Sequence, residues 1–286
     1  MATPLLHAAN ADQAAYWNGP AGQRWLDRQA LQDELLAPIS ELLLGRARVA
    51  EGERVIDVGC GCGATSLALA QQVGAGGRVL GLDISAPMLA RARARAQGQP
   101  SVAFILADAT VHPFEPASFD LLFSRFGVMF FADPVLSFAN MRTAMAPGGR
   151  VAFVCWREPR DNPWMTLALQ HAYRHVPRMP ELGPEDPGPF AFASQQRVER
   201  ILRASGFTGI ALEAVQLSLD LAVGRGLDAA VEAALAIGPV SRALEGQSPE
   251  QRAAVAAEIR AAFAPLQRGN ALPLGASVWV ATASVA

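Results

Sequence analysis

Three alternating glycines carry the clearest chemical signal in this sequence. Gly59, Gly61 and Gly63 lie within VIDVGCGCG, between an apolar run and an Ala/Leu-rich helical pattern. Glycine allows a sharp turn and lets a ligand lie against the backbone, and the start of the following helix offers unpaired N–H groups to negative charge. The pattern therefore predicts a nucleotide-type ligand at this turn. It also fits a dinucleotide fingerprint, so the surrounding residues must decide which ligand binds.

Three aspartates near the ends of predicted strands narrow that choice. Asp57 precedes the glycines, where its carboxylate would repel a pyrophosphate but attract an amino group and a sulfonium. Asp83 ends the second predicted strand, where one carboxylate can accept hydrogen bonds from both ribose hydroxyls. Asp108 ends the third strand and suits an adenine amino group. A cationic ligand that contains adenosine satisfies all three, and we expect S-adenosylmethionine as the cofactor.

The elements that must position these residues alternate between two patterns after residue 53. Short runs rich in β-branched or aromatic residues are each followed by a helical pattern, which predicts an α/β fold with a parallel, doubly wound sheet. The predicted strands are RVIDVG (54–59), RVLGLD (78–83), VAFILADA (102–109), FDLLFSRF (119–126) and RVAFVCW (150–156), and the predicted helices are 64–72, 85–96 and 134–145.

The flanking regions predict helical additions to this core. A helical N-terminal cap is predicted over 1–44, divided by Pro20 and Pro38, in front of a cofactor-binding core at 45–156. The proline-rich segment 157–193 breaks the alternation and is predicted to be a lid insertion rather than core. Residues 194–286 are predicted to complete the core with a helix (194–205), a strand (210–221), a helical insertion (224–270) and a last strand (276–286).

Composition excludes several classes of protein. The 286 residues include 51% hydrophobic and 17% charged types, which is typical of a globular chain. The 24 basic and 26 acidic residues leave no positive surplus to attract nucleic acid. We find no signal-peptide pattern in residues 1–30 and no apolar run of membrane-spanning length, and we expect a cytoplasmic protein without membrane contact. The three cysteines lack metal-ligand spacing, so no metal is predicted and they are interpreted as turn and core residues.

The chain resembles the class I S-adenosylmethionine-dependent methyltransferases, and more narrowly their ubiquinone/menaquinone-methyltransferase-like small-molecule branch. The segments that carry the resemblance are, in order, VIDVGCGCG, GLDIS, ADATVHPFEPASFDLLFSRFGVMFFADP and APGGRVAFVCW. It implies a Rossmann-like, seven-stranded sheet whose last strand is antiparallel. It also implies that Asp57 lies near the methionine amino group, that Asp83 holds the ribose, and that Asp108 and Ala109 lie beside the adenine.

Further cofactor contacts are predicted around this core. YWNGPAGQRW (16–25) is similar to a segment that precedes the domain in many bacterial relatives, and we expect its aromatic residues Tyr16, Trp17 and Trp25 to cover the cofactor and exclude water. Packing of the first helix on the domain is the alternative interpretation of these aromatics. The predicted cofactor contacts also include Ile84, Met88 and Ser124.

Methyl transfer from a sulfonium needs an aligned acceptor and a dry site, and it needs a general base only if the acceptor starts protonated. Four residues are candidates for a base or a substrate contact: His112, Arg125, His171 and His175. Arg125 follows the fourth strand, where family members position the acceptor, and a structural ion pair is its alternative. His171 and His175 share a helix face at i, i+4 spacing, and ordinary hydrogen-bonded histidines are the alternative.

The identity of the acceptor is the least determined part of the prediction. Four aromatic residues either wall an apolar substrate pocket or form the core of the insertion: Trp156, Trp164, Phe190 and Phe192. SRFG (124–127) stands where amino-methyltransferases of nucleic acids and proteins carry an NPPY tetrad, which disfavours those substrates. We therefore predict O-, N- or C-methylation of a secondary metabolite or a quinone-like or aromatic compound, by a chain that has no nucleic-acid partner and could form a homodimer. An NAD-dependent oxidoreductase and a methyltransferase-fold protein that binds the cofactor without methylating are the alternatives.

Overall fold

Seven strands form one mixed sheet in the computed structural model of the chain, which describes residues 5–180, 182–236 and 238–285. The strands are β1 (Arg54–Val58), β2 (Arg78–Asp83), β3 (Val102–Leu106), β4 (Phe119–Arg125), β5 (Met145–Trp156), β6 (Thr208–Asp220) and β7 (Pro273–Ser284). Their order across the sheet is β3-β2-β1-β4-β5-β7-β6. Strands β1 to β5 pair in parallel, whereas β7 is antiparallel to both β5 and β6. The predicted α/β sheet with its antiparallel last strand is confirmed.

Helices cover both faces of the central strands. Successive strand residues point to opposite faces, so the complete burial of both Leu121 and Leu122 in β4 shows that neither face is open. The helices are α1 (Ala11–Asn18), α2 (Pro20–Asp27), α3 (Gln29–Ala47), α4 (Ala64–Val73), α5 (Ala86–Arg95), α6 (Pro134–Thr143), α7 (Pro163–Ala172), α8 (Gln195–Ala204), α9 (Leu227–Ala236), α10 (Pro239–Ala243) and α11 (Pro249–Phe263).

Proline affects the N-terminal cap differently at its two positions. Pro20 begins α2, as predicted, because the first turn of a helix needs no N–H from that residue. The prediction that Pro38 divides the cap is wrong, since Pro38 lies inside the continuous helix α3. Pro38 is exposed, while Leu36 and Leu43 on the other side of the helix are buried in the core. Burial of that apolar face compensates for the helical hydrogen bond that proline removes.

The segment 157–193 contributes more to the core than its sequence predicts. Helix α7 packs against α10, α11 and β7, and the side chains of Trp164, Ala168 and Phe192 are buried in the main hydrophobic cluster. The expectation that this segment lies outside the core is wrong for these residues. Trp164 and Ala168 are one turn apart on α7, and that face of the helix is apolar because other elements of the protein cover it.

The remaining composition-based expectations concern cysteines and membranes. Cys60, Cys62 and Cys155 are free and buried, as expected of turn and core residues. Among the described residues, no helix combines the length and the apolar character needed to cross a bilayer.

Candidate cofactor site at the carboxyl edge of the sheet

The strand order reverses between β1 and β4, and the predicted site lies at the carboxyl ends of these two strands. Such a switch point opens a crevice in an α/β sheet, because the connections leave in opposite directions on its two sides. The glycine turn follows β1 here. A Cβ atom at Gly59 would lie 2.6 Å from the Cα of Gly127, so only glycine fits against the loop after β4. Gly61 has a φ of +54°, and a Cβ atom there would meet only the Met88 sulfur at 3.8 Å. Its backbone therefore faces space that a ligand can enter.

Asp83 is held rigidly beside that turn. Its Oδ2 accepts a hydrogen bond from the Gly61 N–H at 2.7 Å, and its Oδ1 accepts one from the Ser85 N–H at 2.8 Å. Burial raises the pKa of Asp83, and the backbone hydrogen bonds oppose that increase. An ionised carboxylate has about four acceptor positions, so two remain for further donors. Asp83 can accept hydrogen bonds from a pair of ligand hydroxyls without giving up its own.

Asp57 is the most deeply buried carboxylate of the site, with an exposed fraction of 0%. Its Oδ2 accepts hydrogen bonds from the hydroxyls of Thr65 (2.7 Å) and Ser66 (2.6 Å) on α4. Its Oδ1 is buried and has no hydrogen-bond partner among the described residues. Burial raises the pKa of Asp57 to about 6, although both hydroxyls and the charge of Arg125 lower it. A buried acceptor without a partner is costly, so this oxygen is suited to a cationic donor from a ligand.

Asp108 occurs in a different environment at the end of β3. Its two oxygens accept hydrogen bonds from the Asn10 side chain (2.9 Å each), from the His7 N–H (3.0 Å) and from the Thr110 N–H (2.9 Å). The N-terminal segment therefore occupies the carboxylate that the sequence assigns to an adenine amino group. A role for Asp108 beside the adenine stays a prediction. Sequence reasoning missed Asn10, because its partner lies far along the chain and no local pattern connects them.

Trp17 lies across the carboxyl edge of β1. Its carbonyl oxygen accepts a hydrogen bond from the Ser85 hydroxyl at 2.8 Å, just after β2. Its ring packs edge-on against Phe130, in the 3₁₀ turn after β4, with 5.1 Å between ring centroids. Tyr16 and Trp25 pack edge-on against the same ring at 5.2 and 6.1 Å. The predicted aromatic cover thus connects the loops on both sides of the glycine turn, and it also packs the cap on the domain.

Four other predicted cofactor residues lie at this edge, where three of them form hydrogen bonds within the protein and the fourth is buried. The Ser124 hydroxyl is buried and donates to the Val58 carbonyl at 2.7 Å, which connects β4 to β1. The Ile84 carbonyl accepts from the Asn18 side chain at 2.9 Å, and the buried Met88 lies beneath Gly61. The carbonyl of Ala109 accepts from an asparagine of α6 at 2.9 Å. Their contacts with a cofactor stay predictions.

The four catalytic candidates are distributed over separate places. Arg125 ends β4, where its Nη1 donates to the hydroxyl of Ser40 on α3 at 2.8 Å. His112 packs edge-on against Phe114 at 4.7 Å, and burial lowers its pKa. His171 lies in the last turn of α7, whereas His175 lies in the turn after the helix ends, so the predicted shared helix face is wrong; both side chains lie beside Glu258 on α11.

The histidine pair fits the structural interpretation better than the catalytic one. His171 Nδ1 lies 3.0 Å from one carboxylate oxygen of Glu258, and His175 Nε2 lies 3.6 Å from the other. The Arg174 guanidinium contacts the same carboxylate. These contacts connect α7 to α11, and within the described ranges no group of three or more ligating side chains could hold a metal. The structure thus gives both histidines a partner in the helical periphery.

The aromatic residues predicted to wall a substrate pocket are mainly core. Trp156 stacks on Phe126 with 4.2 Å between ring centroids, and Trp164 packs against Trp156 at 4.9 Å. Trp156, Trp164 and Phe192 are all buried, while Phe190 is half-buried. The alternative interpretation, that they form the core of the insertion, agrees with this burial.

The sequence of this chain is similar to those of known methyltransferases. Residues 55–149 match a family model described as a methyltransferase domain. Over 122 residues the chain is 35% identical to the aklanonic acid methyltransferase DauC of Streptomyces, which covers 42% of this chain and 56% of the relative. Over 112 residues it is 34% identical to the 2-phytyl-1,4-naphtoquinone methyltransferase of Thermosynechococcus vestitus, which covers 39% of this chain and 50% of that protein.

Solved structures support the fold over a longer stretch. The YcgJ protein of Bacillus subtilis superposes with a TM-score of 0.56 and 19% identity, covering 86% of this chain and 97% of that one. The matches to these two curated relatives span about half of their length. Residues 55–149 match the methyltransferase-domain model, and the predicted resemblance to S-adenosylmethionine-dependent methyltransferases is confirmed for that part of the chain.

Proposed function

We propose that this chain transfers the methyl group of S-adenosylmethionine to a small organic acceptor, with the methyltransferase domain at 55–149 binding the donor. The observation that carries the proposal is the pair of buried carboxylates beside the glycine turn. Asp57 offers an oxygen that has no partner within the described residues, and Asp83 keeps free acceptor positions next to Gly61. A ligand with an amino group and a ribose fits these acceptors, whereas a pyrophosphate would face the charge of Asp57.

The residues fit the cofactor group by group. Asp57 would accept a hydrogen bond from the amino group, and Asp83 would accept from the ribose hydroxyls. The open backbone of Gly61 leaves room for the ligand to lie against the turn. Ala109 and Asp108 would lie on the adenine side, where the N-terminal segment already contacts Asp108.

When bound, S-adenosylmethionine supplies a methyl group on a positively charged sulfur, which an in-line nucleophile can displace. The contribution of the protein is to hold donor and acceptor in line and to exclude water. Orientation of this kind accounts for ~7–11 kcal/mol of a reaction barrier. The Trp17 and Phe130 rings that cover the edge of the sheet are suited to excluding water, and Asp83 is fixed by two backbone N–H groups.

The acceptor is proposed to be an aromatic or quinone-like small molecule. Support comes from the similarity to enzymes whose names specify aklanonic acid and a phytyl-naphthoquinone as substrates. We place the acceptor between the N-terminal cap and the insertion between β6 and β7, which ion pairs connect across the edge of the sheet.

Calorimetry with S-adenosylhomocysteine tests the donor site directly. We expect the wild-type chain to bind it, and we expect Asp83→Asn to weaken binding by ~10-fold or more, because a charged acceptor of the ribose hydroxyls is lost. Asp228→Asn, an exposed carboxylate on α9, is the matched control and should bind like wild type. A wild-type chain that binds neither S-adenosylmethionine nor S-adenosylhomocysteine would refute the proposal.

Transfer itself needs a separate assay. Purified chain, radiolabelled S-adenosylmethionine and a panel of phenolic, quinone-like and amine acceptors should give a labelled product. Binding of the cofactor without transfer to any acceptor would favour the alternative in which the fold binds the cofactor but does not methylate.

A further inference from the structure

Arg125 and Asp57 lie on the same face of the sheet. Strand β4 pairs in parallel with β1 so that Phe123 is level with Asp57. Side chains alternate along a strand, so Arg125, two residues beyond Phe123, leaves the same face as Asp57 and lies nearer the carboxyl edge. The electrostatic attraction between the two groups lowers the pKa of Asp57. A positive and a negative group therefore lie on the same face of two neighbouring strands at the switch point.

Arg125 has few partners for a charge in this position. A guanidinium has five N–H donors, and the hydrogen bond recorded for this side chain is the one to Ser40 at 2.8 Å. The nearby carboxylate of Asp33 is engaged by Arg95 at 2.8 Å and by the Gln29 side chain. Among the described residues, Arg125 forms no salt bridge of its own. It is a half-buried cation, and the N–H donors that do not contact Ser40 are available to an anionic ligand.

The charges that surround Arg125 come from three elements. Asp33 on α3 and Asp57 on β1 attract it, while Arg95 on α5 repels it, and burial disfavours its charge. Two positive and two negative groups meet here, so the site has no excess charge that would attract a simple anion from solution. It is suited instead to a ligand that brings both signs close together.

We propose that Arg125, oriented by Ser40, binds the carboxylate of the methionine end of the cofactor, while Asp57 binds the ammonium on the same carbon. This inference rests on the proposed function and extends it to the amino-acid half of the ligand. An α-amino acid carries its two charges on adjacent groups, which matches a cation and an anion on neighbouring strands. The carboxylate would meet the guanidinium of Arg125, whose hydrogen bond to Ser40 leaves other N–H donors available, and the ammonium would meet the Oδ1 of Asp57, which has no partner among the described residues. A planar guanidinium also binds a carboxylate in a bidentate fashion.

The sequence-based prediction for Arg125 was a contact with the acceptor. The structure favours the cofactor because Arg125 is beside Asp57 and the glycine turn, and because its anchor Ser40 is on α3, which packs against β4. The two assignments differ in their prediction for a ligand that carries the carboxylate, because only the cofactor assignment predicts that loss of Arg125 weakens its binding.

Calorimetry with three adenosyl ligands separates them. S-adenosylhomocysteine has both charges, S-adenosyl-3-thiopropylamine lacks only the carboxylate, and 5′-methylthioadenosine lacks the whole amino-acid end. We expect Arg125→Gln to weaken S-adenosylhomocysteine by at least ~10-fold, the usual scale of a charged hydrogen bond. The other two ligands should change by less than about 3-fold. Wild type should prefer S-adenosylhomocysteine to the decarboxylated ligand, and Arg125→Gln should lose that preference.

Further variants test whether the effect depends on the charge of Arg125 and on its contact with Ser40. Arg125→Lys should restore part of the preference for the carboxylate, and Ser40→Ala should reduce it more weakly. Arg46→Gln is the matched control, since Arg46 is an exposed arginine paired with Glu213, and it should bind all three ligands like wild type.

Equal losses for all three ligands in Arg125→Gln would assign Arg125 a merely structural role and overturn the inference. Unchanged binding of all three, with a raised KM for the acceptor, would overturn it in favour of the acceptor assignment. A wild-type chain that binds none of the ligands would instead refute the proposed function, which is a distinguishable result.

Discussion

Asp57 and Asp108 stand at the carboxyl ends of two strands of the same sheet, and both are almost completely buried, yet their surroundings differ. Asp57 keeps one oxygen without a hydrogen-bond partner in the described part of the chain, while three donor groups make four hydrogen bonds to the two oxygens of Asp108. Thr110, in the loop after β3, and two residues of the N-terminal segment supply those donors. A buried carboxylate at a strand end is therefore either a place for a ligand or an anchor for the chain, and its neighbours decide which.

The two carboxylates also differ in how far along the chain their hydrogen-bond partners lie. Thr65 and Ser66, whose hydroxyls donate to Asp57, lie only 8 and 9 residues after it, at the start of α4. Asn10, which supports Asp108, comes from the far end of the chain. The ligand position is thus formed by one contiguous motif, whereas the anchor requires the cap to dock.

The largest effect is expected from Asp57→Asn. A neutral amide keeps an acceptor for the hydroxyls of α4 but cannot attract an ammonium, so affinity for S-adenosylhomocysteine should fall on the order of 100-fold at pH 7. The same change removes a buried charge, so the free energy of unfolding at pH 7 should rise by roughly 1–3 kcal/mol. Calorimetry and chemical denaturation of the same preparation measure both effects. Loss of stability together with loss of binding would mean that Asp57 is an anchor like Asp108.

The pH dependence of the free energy of unfolding tests independently whether the charge of Asp57 destabilises the fold. Burial raises its pKa from 3.8 to about 6, so between these values the native chain holds a proton that the unfolded chain has lost. The free energy of unfolding should therefore decrease as pH rises from about 4 to about 6 and level off above that. The raised pKa of Asp83 acts in the same direction, so the difference between wild type and Asp57→Asn isolates Asp57. Ligand affinity should instead fall as pH decreases below 6.

A smaller effect is expected from Asn10→Ala, which breaks the anchor. Asn10 donates to Asp108 and Thr110 and accepts from the Ala132 N–H, and its exposed fraction is 3%. Removing it leaves buried polar groups without partners, which costs about 1–3 kcal/mol of the free energy of unfolding. Chemical denaturation measures this loss, and limited proteolysis should show faster cleavage near the N-terminus.

Asn18→Ala is the matched control for the anchor. Asn18 also belongs to the cap and bridges the Ile84 carbonyl and the Ala86 N–H, but it is exposed, so water can replace its contacts. Its loss should be clearly smaller than that of Asn10. Equal losses for the two variants would contradict the distinction between a buried anchor and an exposed contact.

Much of the fold could be predicted because the strand signals are local. Strand β2 agrees with its predicted bounds, since a continuous apolar run ends at a polar residue on each side. Strand β5 begins at Met145, whereas the sequence predicts Arg150, because pairing of Met145 with Phe119 of β4 extends the strand through MAPGG. That pairing depends on the neighbouring strand, and the Pro-Gly-Gly composition of the segment predicts a turn.

The candidate site could be predicted where its residues belong to one local sequence pattern. Asp57, Asp83 and the glycines occupy fixed positions in one strand–turn–helix pattern, so their spacing carries information. Ser40 and Asn10 contact the site from elements whose docking no short pattern encodes. Arg125 was recognised as a candidate, but its relation to Asp57 depends on strand register, which the structure supplies.

The smallest effect is expected where the cap meets the insertion. Arg28 Nη1 lies 2.6 Å from Glu232 Oε1, but the two side chains are 35% and 62% exposed, so solvent screens the pair. A double-mutant cycle with Arg28→Gln and Glu232→Gln should give a coupling of only about 0.2–1 kcal/mol, far below the loss from Asn10→Ala. The coupling should vanish at ~1 M salt, where the Debye length is about 3 Å. A coupling above ~2 kcal/mol that resists salt would show instead that the insertion, and not the buried anchor at Asp108, holds the cap over the cofactor site.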